Sequence, residues 1–246
     1  MSEIVVLSIL IFVVAVVFSS VGHGGASGYL AAMALVGIAP EVMRPSALLL
    51  NVLVASIGTV RFHRAGHLRW PILLPFAVGS VPLAFVGGML SMPDALYARV
   101  VGSVLLFAAY RLFLGPKPAP HGLAADNLWF FPLAMTIGMA IGLLSGLTGI
   151  GGGVFLSPVL LLARWAGPRQ CAGVTVAFIL LNSIAGISGQ LARVAALPAG
   201  IPYWAASAVV GGMIGSGLGA RRLGDVTLRR LLAMVLLVAA GKLMLT

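Results

Sequence analysis

Leu48-Leu49-Leu50-Asn51 and Ile179-Leu180-Leu181-Asn182 stand 131 positions apart, and the same offset carries Pro71 onto Pro202 and Ala108-Ala109-Tyr110-Arg111-Leu112 onto Ala239-Ala240-Gly241-Lys242-Leu243. The chain therefore reads as two halves of similar length. Nearer the start of each half, Gly22-His23-Gly24-Gly25 meets Gly149-Ile150-Gly151-Gly152 at an offset of 127, so the second half carries four more residues after its glycines, near 164–169. Between the halves, Gly115-Pro116-Lys117-Pro118-Ala119-Pro120 cannot continue a helix, because proline lacks an N–H and its ring clashes with the preceding turn. The expected organisation is a first repeat over 1–114, a linker over 115–127 and a second repeat over 128–246.

The 246 residues are 61% hydrophobic and 8% charged, against roughly 25% charged residues in a soluble domain, which excludes a water-soluble globular fold. Each half offers five apolar segments: 4–21, 25–38, 43–60, 70–90 and 97–113, then 128–147, 153–166, 172–191, 201–220 and 231–245. Lengths of this order are those of membrane-spanning helices. The first segment follows Glu3 with no Lys or Arg before it, unlike a secretory signal peptide, and is expected to be retained. Cys171 is the only cysteine, so an internal disulfide and a cysteine metal cluster are excluded, and its expected role is that of a small buried apolar residue.

The net charge of +10 does not point to nucleic acid, because the Lys and Arg residues lie in connectors rather than in one patch. If all ten segments cross, Arg61, Arg64, Arg69, Arg111, Lys117, Arg164, Arg169, Arg221, Arg222, Arg229 and Arg230 fall on one side, and Arg44, Arg99, Arg193 and Lys242 on the other. With the two short segments re-entrant and eight crossings, the split becomes 7 against 8 and specifies no orientation. Ten crossings with both termini outside satisfy the positive-inside rule. Equivalent connectors carry opposite bias, rich around 61–69 but poor around Arg193, which is the signature of inverted repeats. The expected fold is an all-α membrane protein of two inverted-topology repeats, about five helices each, with short or broken helices at glycine-rich turns.

Those turns, Gly22-His23-Gly24-Gly25 and Gly149-Ile150-Gly151-Gly152-Gly153, each precede a short segment of 14 residues, roughly 21 Å of helix against roughly 30 Å of hydrocarbon. Non-helical backbone at that depth persists only inside protein or beside a wet cavity. Both turns open a helix, whose free N–H groups and positive dipole end suit an anion. All five carboxylates, Glu3, Glu41, Asp94, Asp126 and Asp225, fall at the chain start or in connectors, which disfavours a cation or carboxylate proton relay. His23 is the one ionisable group within a glycine turn and is read as an anion contact or proton coupler, with an idle interfacial histidine as the alternative.

Asn51 and Asn182, mid-segment at matching positions, can donate amide hydrogens to an oxyanion or to another helix. Arg44 and its counterpart Thr175 open the segment after each short helix. Arg44 is read as a clamp for an oxyanion or as an interfacial anchor. Gln190 and Ser145 are weaker candidates. Gly211, Gly215 and Gly219 have the spacing of a helix-packing face. His63, His67 and His121 lack metal-ligand spacing, so no metal or cofactor is expected. No paired carboxylates, no Ser and His pair and no metal cluster point to an enzyme.

Leu144-Ser145-Gly146-Leu147-Thr148-Gly149-Ile150-Gly151-Gly152-Gly153, with Pro158 beyond, resembles the glycine-rich motif of the sulfite exporter TauE/SafE-like membrane protein family, and Ala172-Gly173-Val174-Thr175 followed by Asn182 resembles its next helix. The resemblance covers nearly the whole chain, with departures at His23 and Ala26 within the first glycine run and at Val176, the last standing where that family often has Ser. It implies export of sulfite, sulfoacetate or related organosulfonates across a bacterial inner membrane. The expected mechanism is alternating access, with the anion held by both turns and the amides of Asn51 and Asn182. A passive anion channel and a non-transporting assembly factor are the competing readings. The expected partners are a small anion and the lipid bilayer, not nucleic acid, and a homodimer is left open.

Overall fold

A computed structural model describes residues 2–91, 93–114, 129–190 and 198–221, together with Leu237, Ala240, Gly241 and Met244. The described segments are helical: α1 (Ser2–Ser20), α2 (Ala26–Val36), α3 (Pro40–Arg64), α4 (Trp70–Met89), α5 (Asp94–Leu114), α6 (Phe130–Thr148), α7 (Gly153–Leu162), α8 (Pro168–Gln190) and α9 (Ile201–Arg221). Five of them, α1, α3, α4, α6 and α8, have the length and apolarity to cross a membrane. The linker, Arg193 and most of the tenth apolar segment lie outside the described residues.

The two short segments are shorter than their apolar runs, because glycine conformations close both ends of α2 and the start of α7. Left-handed Gly25 and Gly37 bracket α2, leaving 11 residues, and left-handed Gly152 opens the 10-residue α7. These helices rise only about 16 and 15 Å. Helix α3 instead begins ahead of its apolar stretch, at Pro40, whose absent N–H is one a helix start leaves unpaired anyway. The four extra residues of the second half are shared between the 163–167 connector and an α8 that starts three positions ahead of the counterpart of Pro40.

Direction along the bundle is legible from facing residues. On α3 and α8, Leu48 faces Gly186, Asn51 faces Ser183 and Gly58 faces Val176, so one numbering rises as the other falls and the helices run antiparallel. On α4 and α6, Phe76, Ser80 and Ala84 face Gly138, Gly142 and Gly146, a parallel pair. On α1 and α9, Phe12 and Val16 face Gly211 and Gly215, also parallel and in keeping with the spacing read from the sequence. In each parallel pair, glycines at spacing four lie against backbone carbonyls of the neighbour. Bilayers supply no hydrophobic drive between helices, so such close contact is what holds them. Helix α8 sits at the centre, with 72% of its span buried against 44% for α1. Val5, Ile9, Leu74, Val78 and Phe85 face outward as a lipid-compatible surface.

A Cβ at Gly142 would strike the carbonyl of Ser80, whereas one at Gly167 would meet nothing within 4 Å. Gly142→Val is expected to lower unfolding stability in detergent by about 1–3 kcal/mol through overpacking. Gly167→Ala should stay within about 0.5 kcal/mol of the parent. Equal effects in a detergent-unfolding titration would refute the backbone contact.

Candidate functional site

Both glycine turns are buried and close on the same two side chains. A Cβ at Gly24 would lie 2.5 Å from Asn51 Oδ1 and 3.0 Å from Ile179 Cγ2, and one at Gly151 would lie 2.6 Å from Asn51 Nδ2 and 3.1 Å from Ile179 Cγ2. Gly22 and Gly149, and likewise Gly25 and Gly152, are matching left-handed positions that an L side chain rarely adopts. Antiparallel α3 and α8 bring Asn51 and Ile179 together, and the turns reach them from α1 and α6.

The backbone at this junction is only partly spoken for. The hydrogen-bond ladder of α2 begins with Tyr29 N–H donating to Gly25 O, and that of α7 with Phe155 and Leu156 donating to Gly152 O. Ala26, Ser27, Gly28, Gly153 and Val154 stand ahead of these ladders, where helical N–H groups have no helical acceptor. Tyr29 Oη donates to Gly24 O at 2.9 Å, tying back a carbonyl of the first turn. Asn51 Nδ2 donates to Ile150 O and to Ser183 Oγ, each at 3.4 Å. Asn51 Oδ1, Ser27 Oγ and Ser145 Oγ are buried without a hydrogen-bond partner among the described residues, an uncommon state for polar atoms in a folded interior.

A second polar chain leaves the first turn. His23 Nε2 lies 3.1 Å from Ser157 Oγ on α7, and Ser157 Oγ lies 3.0 Å from Thr175 Oγ1 on α8. Thr175 also flanks the second turn, since a Cβ at Gly153 would lie 2.9 Å from its methyl group. The expectation that no serine pairs with a histidine is thus corrected: residues 134 positions apart meet because the turn of the first half packs on α7 of the second.

Two predicted residues are placed differently from the rest. Asn182 Nδ2 donates to Ser80 Oγ of α4 at 3.0 Å and to Phe178 O, one turn back on α8 itself, at 2.9 Å, so one hydrogen serves the α4–α8 contact and the other its own helix. Adjacent helix positions point about 100° apart, and it is Ser183 that faces Asn51. Arg44 directs a guanidinium nitrogen to Gly146 O at 3.2 Å and Leu90 O at 3.4 Å and sits over the Tyr97 ring. It therefore ties together the C-terminal ends of α4 and α6, where a cation is favoured. Gly149 packs on the backbone of Arg44 and Gly22 on Ala172. Sequence reading missed Tyr29, Ser157, Ile179 and Ser183. Only Ser183 carried a signal, its place beside Asn182.

Glu3 and Glu41 occupy the exposed first turns of α1 and α3, away from this junction, and no group of His, Cys, Asp and Glu able to hold a metal occurs among the described residues. Buried backbone breaks, helix starts and hydroxyls without carboxylates, inside an apolar helical bundle, are the parts of a membrane transporter. The model of the family described as Sulfite exporter TauE/SafE matches residues 7–243, and the chain belongs to that family. It is 37% identical over 244 residues to the probable membrane transporter protein y4hK of Sinorhizobium fredii, covering 99% of each chain. A second probable membrane transporter protein, of Methanocaldococcus jannaschii, is 27% identical over 191 residues, which are 73% of this chain and 69% of that one. Family and relatives are named as transporters rather than enzymes. No solved structure matches the chain.

Gly37 and Gly151 share a left-handed backbone, but a Cβ at Gly37 meets open space while one at Gly151 meets Asn51. Gly37→Ala is expected to cost roughly 1–2 kcal/mol of backbone strain, and Gly151→Ala about 1–3 kcal/mol more. In a double-mutant cycle Gly151→Ala and Asn51→Ala should cost about 1 kcal/mol less together than their sum, and simple additivity would show that the two do not meet.

Proposed function

We propose that this protein carries a small oxyanion, sulfite or an organosulfonate, across the bacterial inner membrane by alternating access between two inverted repeats, 1–114 and 128–246. The observation that carries the reading is the convergence of both glycine turns, one from each half, on Asn51. Helix starts there offer N–H groups and positive dipole ends, glycine leaves room for close approach, and among the described residues Glu3 and Glu41 lie in exposed first turns away from a negative guest.

The packing supports the symmetry. Exchanging the halves turns the α4–α6 contact into α9–α1 and the α4–α8 contact into α9–α3, and both members of each pair are present. The antiparallel run of α3 and α8, equivalent helices of the two halves, is what inverted repeats require. It also favours α2 and α7 each returning the chain toward the opposite face, as in the ten-segment reading. Asn51 stands between the turns, its Nδ2 making only long contacts of 3.4 Å to Ile150 O and Ser183 Oγ for which an oxyanion can compete, while Asn182 ties α4 of the first half to α8 of the second. The family name supports a sulfur oxyanion as cargo and export as its direction.

In proteoliposomes, uptake of labelled sulfite or sulfoacetate should be saturable. Asn51→Asp, which puts a carboxylate between the turns, should lower it at least about tenfold, since a like-charge contact at 4 Å is worth about 4 kcal/mol near a protein surface. Absence of transport across a panel of sulfur oxyanions and sulfonates would overturn the assignment, and flux without saturation would favour a channel.

A further inference from the structure

The junction between the turns has one polar wall and one apolar wall. Helix α3 brings the amide of Asn51 and α8 brings the side chain of Ile179, both buried. A single carbon, Ile179 Cγ2, is near both turns, 3.0 Å from a Cβ at Gly24 and 3.1 Å from one at Gly151. The rest of that side chain lies on the start of α7: a Cβ at Gly153 would strike Ile179 Cδ1 and Cγ1, with the Thr175 methyl carbon next at 2.9 Å. Outside its own helix and chain neighbours, the first residue of α7 thus has carbon alone as its three nearest atoms. Ile179 and Ser183, four positions apart, share the face of α8 that meets Asn51. The counterpart of Ile179 at the offset of 131 is Leu48, which lies against Gly186 instead.

Polar groups around the junction are left for a guest. Asn51, 1% exposed, is held at Nδ2 by contacts of 3.4 Å, and its Oδ1, facing Gly24, has no hydrogen-bond partner among the described residues. Two buried hydroxyls that border the turns are in the same state: Ser27 Oγ in the first turn of α2, and Ser145 Oγ, whose Cβ is 3.4 Å from the place of a Cβ at Gly152. Hydroxyls, amide hydrogens and the N–H groups ahead of the α2 and α7 ladders can all donate to the oxygens of an anion. What projects from the fourth corner of its central atom then meets Ile179. In sulfite that corner holds a lone pair and in a sulfonate a carbon, and neither needs a donor. In sulfate or phosphate it holds a fourth oxygen, which gives up its hydration and receives nothing from methyl groups. A buried acceptor left unpaired in this way weakens binding roughly 10- to 100-fold.

Resting on the carrier reading above, we propose that Ile179 is a specificity-determining residue of this site: its methyl groups form the wall against the fourth corner of the guest, so that the junction accepts three-oxygen anions whose fourth corner is empty or apolar and turns away four-oxygen anions such as sulfate and phosphate.

Methanesulfonate and sulfate are the probes, with full-length protein in nanodiscs. The wild type should bind methanesulfonate at least about tenfold more tightly than sulfate, although sulfate carries twice the charge. Ile179→Val, which keeps the wall apolar, should keep that preference. Ile179→Thr, which puts a hydroxyl where Cγ1 lies, should reduce it about tenfold by giving the fourth oxygen a donor. The ratio of the two affinities is the readout, because a variant that only packs less well weakens both anions alike. With ¹³C-labelled isoleucine methyl groups, the Ile179 δ1 resonance, assigned by its loss in Ile179→Val, should shift when methanesulfonate binds the wild type. The wild-type ratio and this resonance decide the matter even where Ile179→Thr does not fold. Equal wild-type affinities, an unmoved resonance on methanesulfonate binding, or a preference that Ile179→Thr leaves intact would overturn the proposal while leaving the carrier reading standing. The expected preference without any methanesulfonate flux in proteoliposomes would sustain the Ile179 wall and remove the carrier reading. Binding of neither anion would overturn both.

Discussion

Everything in this molecule is arranged around two breaks in helical backbone held within an apolar bundle. A peptide group there has no water to fall back on, so each break must be closed by protein or face a polar guest. Asn51 does much of the closing: its Nδ2 donates to Ile150 O of one turn and its Oδ1 faces Gly24 of the other. Tyr29 secures the Gly24 carbonyl from the opposite side. Carbonyls are thus tied down, while N–H groups at two helix starts stand ahead of their ladders, an imbalance that favours a negative ligand.

The surrounding helices explain why such a junction is held. Glycines of α6 and α9 bring backbones of α4 and α1 into direct contact, and Asn182 with Ser80 adds a buried hydrogen bond between α4 and α8. Those contacts rely on shape and dispersion and join helices of opposite halves. Arg44 and Arg61, near opposite ends of α3, each grip carbonyls of the neighbouring helices. A carrier that rocks one half against the other would have to loosen these grips in turn, so the two arginines stand where the motion would be governed.

Much of this was legible from residue order because its causes are local. A density of consecutive glycines interrupts a helix wherever it occurs, and long runs of apolar residues choose lipid whatever their neighbours. Spacing four at Gly211 and Gly215 likewise announced a packing face, which α1 occupies. The same spacing at Gly138, Gly142 and Gly146 went unread although it does the same work on α4. Matching asparagines marked the right pair of helices but did not reveal that their roles diverge. An amide's partner depends on helix rotation, and one position of rotation hands Asn51 to Ser183 and Asn182 to Ser80.

The sequence by itself determined a membrane-embedded helical chain broken at two dense runs of glycine, since both follow from composition or from bonds between near neighbours. Only the tertiary structure decided that both breaks meet at Asn51 and Ile179, that Arg44 is spent on helix ends, and that His23 reaches Ser157 and Thr175. Those outcomes depend on which helices cross and at what rotation. That choice is made by close contact between residues more than a hundred positions apart, and no local pattern records it.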